Sequence, residues 1–186
     1  MSGNAREAIL AAARKAAQAH GYGGLNFRDL AAEVGIKAAS IHYHFPGKAD
    51  LGAAVARRYW KDTANELNRM LSQRPDALSS LRDYPVVFRR ALENGNRICL
   101  YNFMAAEYDD LPDMVKTEIQ AFTDVNVSWL ARVLRSAGIV GTAGSEARAR
   151  AIFAAVSGAQ LLARSRADIG LFDSLIASYR DAGLLP

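Results

Sequence analysis

Cysteine occurs once in the 186 residues, proline five times and histidine three times. With Cys99 alone, no internal disulfide can form, so the chain is not a disulfide scaffold and its folding must rest on packing. All three histidines fall at or before position 44. There is no paired Glu-x-x-His, no nucleophile elbow and no phosphate-binding glycine loop, which leaves an enzyme reading without machinery. A run of about 20 apolar residues is also missing, because Ser157, Gly158 and Gln160 interrupt the stretch 151–163. No membrane partner is expected, and the sparse cysteine suits a cytoplasmic location. The low proline content, with 51% hydrophobic and 23% charged residues, excludes collagen-like and disordered classes. A compact chain of this length buries roughly 70% of its unfolded surface, enough for one substantial core or for a small module beside a larger one.

What is present is uneven charge. The net formal charge is +4, and the first 58 residues carry all of it, with eight Lys or Arg against four acids. The remainder holds fifteen of each sign. Apolar spacing predicts helices throughout and no strand, giving an all-α fold of about nine helices. A first helix is expected over 5–20, ended by Gly21. A short second helix follows over 27–34, capped by Asn26 and broken by Gly35, and a third over 38–45, stopped by Pro46-Gly47. A long fourth helix should start at Lys48 and reach about Ser72. Further helices are expected near 78–94, 97–107, 111–137, 145–165 and 169–182. Pro85 should kink or restart the first of these, Asp110 should cap the third, and 139–145 should be the longest loop.

Two short helices around a glycine turn are either a helix-turn-helix or an ordinary helical hairpin. In the first case the helix over 38–45 enters a major groove about 12 Å wide. Ala38 and Ala39 would let its backbone approach the groove, and Ser40, His42, Tyr43 and His44 would offer hydrogen-bonding groups. A metal reading of His42 and His44 fails, because residues two apart on a helix point about 200° away from each other. No metal or cofactor is expected.

The run Asn26-Phe27-Arg28-Asp29-Leu30-Ala31-Ala32-Glu33-Val34-Gly35-Ile36, followed by Ser40-Ile41-His42-Tyr43-His44-Phe45-Pro46-Gly47-Lys48-Ala49-Asp50-Leu51, resembles the N-terminal domain of TetR-family transcriptional regulators. The resemblance covers about the first 52 residues; the rest is similar only in helix layout. It implies a helix-turn-helix DNA-binding domain over 1–47 and an effector-binding and dimerisation domain over 48–186. Helix 38–45 becomes the recognition helix, with Ser40, Tyr43 and His44 at the DNA surface. Lys48 and Arg28 become phosphate contacts, with Asn26 and Lys37 beside them, and His42 stands where the family usually has tyrosine. The implied partners are a palindromic double-stranded operator, a second copy joined through the last two long helices, and a small-molecule effector that releases a repressor from DNA.

Cys99, Tyr101, Phe103, Met104, Tyr108, Phe122 and Trp129 are the candidate effector lining, since pockets are mostly apolar with a few polar anchors. Taken singly, each reads first as plain core. Cys99 is either a modifiable sensor thiol or a buried residue. The acids Glu107, Asp109, Asp110 and Asp113 are either a cation site or solvated helix ends.

Overall fold

The structure is a computed structural model that describes residues 2–186, with side chains from Asn4 onward. Among the described residues there are nine α-helices and no strand. They are α1 (Ser2–His20), α2 (Phe27–Val34), α3 (Ala38–His44), α4 (Lys48–Gln73), α5 (Ala77–Glu93), α6 (Leu100–Ala106), α7 (Asp113–Ser136), α8 (Thr142–Arg166) and α9 (Ile169–Asp181). Short 3-10 turns occupy Tyr22–Gly24 and Tyr108–Asp110. No helix among these residues is long and apolar enough to cross a membrane.

The chain forms two compact units, Met1–Lys61 with Leu100–Phe122, and Asp62–Cys99 with Thr123–Pro186. Helices α4 and α7 each contribute to both. In the first unit Ile9, Ala13, Leu30, Ile41, Leu51, Leu100, Met104 and Val115 form the buried centre. In the second, Leu81, Tyr84, Phe88, Leu130, Val133, Leu134, Ile152, Val156 and Phe172 are buried.

Local chemistry explains most boundaries. The Asn26 side chain accepts from the backbone N–H groups of Arg28 and Asp29 at 2.8 and 3.3 Å, satisfying two of the donors that open α2. Gly35, at φ 75°, closes α2 in the left-handed conformation that glycine tolerates best. Two expectations need correction and one is narrowed. Of the kink or restart expected at Pro85, the restart does not occur, since α5 runs through it. Leu81, Tyr84, Pro85 and Phe88 are all buried, and this packing holds the helix despite the lost N–H. Asp110 lies in the 3-10 turn and not at the cap of α7, which starts at Asp113 after Pro112. The loop before α8 is shorter than expected, because α8 begins at Thr142 with Gly141 as N-cap and takes Gly144 into its first turn.

Gly21 ends α1 at φ 65°, and a Cβ there would collide with the Glu107 carboxylate. That carboxylate accepts the Tyr22 backbone N–H at 2.7 Å. Gly21→Ala is therefore expected to cost about 2 kcal/mol, from left-handed strain and from displacement of this bond. Urea denaturation checks it. Adding Glu107→Ala to Gly21→Ala should relieve the steric part alone, and equal stability of Gly21→Ala and wild type would show that the turn is not constrained.

Candidate nucleic-acid interface

Helix α3 is held from behind by Ile41, fully buried, and by Phe45 just beyond its end. Its other face is left to solvent. Ala38, Ala39, His42 and Tyr43 are exposed, and Tyr43 reaches 81% exposure. Small residues at the helix start and polar rings further along make a face able to approach base edges closely. His44 is half-buried, with its ring edge-on to Tyr43 at 5.1 Å, and Ser40 is half-buried on the turn before.

His42 points toward the start of α2. Its ring lies 4.7 Å from that of Phe27, and its Nδ1 is 3.4 Å from the Pro46 carbonyl oxygen. Asn26, Phe27, His42 and Lys48 line one shallow pocket of about 360 Å³. The structure thus brings Asn26, His42 and Lys48 together, with the capped N-terminus of α2 beside them. Arg28, in the first turn of α2, and Lys37, the N-cap of α3, are both exposed. Helix-start amides with nearby cations are the usual physical arrangement for holding a phosphate oxygen.

Lys48 has a partner that local sequence does not announce. Its ammonium lies 4.6 Å above the Tyr22 ring. A Cβ at Gly52 would meet that ring at 2.7 Å, so glycine one turn into α4 makes room for it. Glu107 fixes the same turn through the Tyr22 N–H, across 85 residues of sequence. The only local signals are the glycines at 21 and 52. Of the remaining acids, Asp109 and Asp110 are solvated and Asp113 stands in solvent near Lys116. Among the described residues no group of His, Cys, Asp and Glu is placed to hold a metal ion.

The candidate effector residues divide between the units. In the first, Met104 is buried, and the rings of Tyr59, Phe122 and Tyr101 stack at 5.4 and 5.3 Å, with the Arg14 guanidinium 4.7 Å over Tyr59. Phe103 is half-buried, and Tyr108 accepts a hydrogen bond from Gln120 at 2.8 Å. In the second, Trp129 stacks on Tyr84 at 5.8 Å. Burial pushes the Tyr84 phenol well above its ordinary range, and its hydroxyl donates to Asn126 at 2.9 Å. Cys99 is buried, and its backbone N–H donates to Gln160 at 2.9 Å.

A basic helix-turn-helix with an open third helix, on a chain whose described residues form nine helices and no strand, defines a DNA-binding transcriptional regulator. The family model for bacterial regulatory proteins of the tetR family matches residues 9–55. A TetR transcriptional regulator from Legionella pneumophila is 30% identical, with 95% of each chain covered and a TM-score of 0.88. A TetR-family regulator from Agrobacterium tumefaciens is 28% identical, with 98% of each chain covered and a TM-score of 0.89. The reduced form of E. coli NemR shares the fold at 18% identity, with 95% of this chain and 96% of that one covered and a TM-score of 0.82. No curated protein matches the sequence significantly. The chain belongs to the TetR family of bacterial regulatory proteins.

Proposed function

We propose that the chain is a cytoplasmic, effector-responsive repressor, without enzymatic activity, that binds a palindromic operator as a homodimer. The observation that carries the reading is the asymmetry of α3, which buries Ile41 and presents His42 and Tyr43 to solvent. Ser40, Tyr43 and His44 read bases in this scheme. Asn26, Arg28, Lys37, His42 and Lys48 meet phosphates.

Dimerisation is supported by α8. One of its faces is core, with Ile152, Val156, Ala159 and Ala163 fully buried. On the opposite face Ala151, Ala154, Leu161 and Leu162 are exposed, the two leucines at 46% and 53%. Small and aliphatic side chains at helical spacing on an outer face suit close packing against a twin helix. Twofold symmetry then matches two half-sites one helical turn, about 34 Å, or a multiple of it apart.

Selection of bound genomic fragments, followed by footprinting, tests the reading. Two symmetric half-sites are expected, and binding should weaken steeply with salt. Lys48→Gln should lower affinity on all sequences and reduce the salt slope by about one per half-site. Absence of any preferred fragment would remove the regulator reading, and a single protected half-site would remove the dimer.

A further inference from the structure

We propose that a groove between α4 and α7 in the second unit binds an organic anion, a carboxylate on an extended or aromatic apolar body, and that this molecule is the one that sets operator affinity. The second clause rests on the effector reading above. The groove encloses about 410 Å³, within the range of small-molecule sites. Its apolar part comes from Ala64 and Leu67 on α4 and from Val125 and Trp129 on α7. Arg132 and Arg135 supply its charge, and no acidic side chain lines it. Positions 125, 129 and 132 recur at helical spacing, so apolar surface and cation lie along one face of α7.

The state of the two arginines distinguishes them. Arg57, Arg74, Arg89, Arg90 and Arg150 each pair with a carboxylate. Arg132 instead donates to the Asn68 amide oxygen and Arg135 to the Ser145 hydroxyl, both at 2.9 Å. Two guanidinium groups one turn apart on a helix thus have, among the described residues, only neutral acceptors, which a carboxylate replaces with charge-assisted, fork-shaped bonds. Trp129 adds an independent sign. It is 4% exposed, and its indole N–H is buried without an acceptor among the described residues. An oxygen-bearing ligand in the groove is the kind of group that satisfies such a donor. A neighbouring groove shares Ser128 and Arg135 but also contains Asp124 and Glu146, so the anion belongs in the first groove. A cationic ligand is disfavoured by the same arginine pair, and a neutral one leaves it unused.

The chain contains two tryptophans, so Trp60→Phe leaves Trp129 as the fluorescent reporter. The probes are 4-phenylbutyrate and decanoate, each compared with its uncharged primary amide at pH 7. Calorimetry on the unaltered chain provides a second measurement that does not depend on the tryptophan replacement. The acids are expected to bind saturably with a change in Trp129 emission, at least tenfold tighter than the amides. Arg132→Gln with Arg135→Gln should abolish that preference, and the melting temperature should hold because both side chains are exposed. In the full chain the acids should weaken binding to the selected operator. Equal binding of acid and amide, acid binding unaffected by the double replacement, or no saturable binding at millimolar concentration overturns the site. Arginine-dependent acid binding that leaves operator affinity unchanged keeps the site and overturns its effector role. Operator release by a compound that works equally well on the doubly replaced chain keeps the effector reading and overturns this groove as its seat.

Discussion

Replacing Tyr43 and His44 together by alanine is expected to weaken site-specific DNA binding by about 100-fold or more while leaving helix content and melting temperature nearly unchanged. In the proposed scheme each lost base contact is worth about 1–3 kcal/mol, and the proposed symmetric dimer loses each one twice. Stability changes little because Tyr43 is 81% exposed with its ring edge-on to His44, the residue replaced alongside it, and half-buried His44 gives up only a 6.5 Å ring contact with Phe45. The burial that holds α3 in place comes from Ile41 and Phe45, which are untouched. Binding to unrelated DNA should persist with its salt dependence, since Arg28, Lys37 and Lys48 remain. Fluorescence anisotropy with the selected operator and a scrambled duplex makes the comparison. Unchanged discrimination between the two would mean that the reading face lies elsewhere.

The contrast between Ile41 and Tyr43 shows what was legible in the sequence. Both lie on one short helix, and the alternation of apolar and polar residues from Leu30 to Phe45 is enough to separate its buried side from its exposed side. The Asn26 cap and the left-handed Gly35 are legible for the same reason: each is a property of three or four adjacent residues. Rules of the same local kind misplace the start of α8 and allow a restart at Pro85 that does not occur. A proline penalty of about 3 kcal/mol is outweighed when the residues around it are buried together, as Leu81, Tyr84 and Phe88 are. Gly144 is tolerated in the first turn of α8, where Ser145 accepts from Arg135 and donates to the Thr142 carbonyl.

Contacts between distant segments were not legible at all. Lys48 is visible as a cation at the start of a helix, but nothing near it in sequence places Tyr22 beneath it or Glu107 on the Tyr22 N–H. The acidic stretch from Glu107 to Asp113 reads as one cluster, yet only Glu107 is used in this way, and the reason lies 85 residues away. The aromatic residues proposed as effector lining show the same limit. Composition identifies Tyr101, Phe122 and Trp129 as large apolar surfaces, but only the fold shows that the first two stack on each other and the third stacks on Tyr84.

Glu118 is the strongest case of a residue that sequence passes over, and Glu118→Ala is expected to cost about 2–3 kcal/mol of stability. The carboxylate is 6% exposed and sits on α7 among Val115, Ile119 and Phe122, all buried. One of its oxygens accepts from Arg57 Nε at 2.8 Å and Nη2 at 2.5 Å, and the other accepts from the Trp60 indole at 2.7 Å. Removing it strands one guanidinium and one indole donor. Loss of a partner from a fully buried pair costs about 3–5 kcal/mol, but Arg57 is 57% exposed and recovers part of that from water, which lowers the expected figure. For a chain of this size the melting temperature should fall by about 5–10 °C. Burial alone would raise the Glu118 carboxyl, yet the bonds from Arg57 and Trp60 outweigh it and hold the group below its ordinary value of 4.5. A carboxyl depressed on folding contributes stability that is fully present above that ordinary value and is lost as the pH falls through the folded one. Wild type should therefore lose this contribution below about pH 4.5, and Glu118→Gln, which keeps one acceptor, should be less stable at neutral pH but show a shallower acid transition. Urea denaturation between pH 3 and 7 separates the two chains. Parallel acid transitions would mean that the Arg57 and Trp60 bonds stabilise the folded state no more than water does.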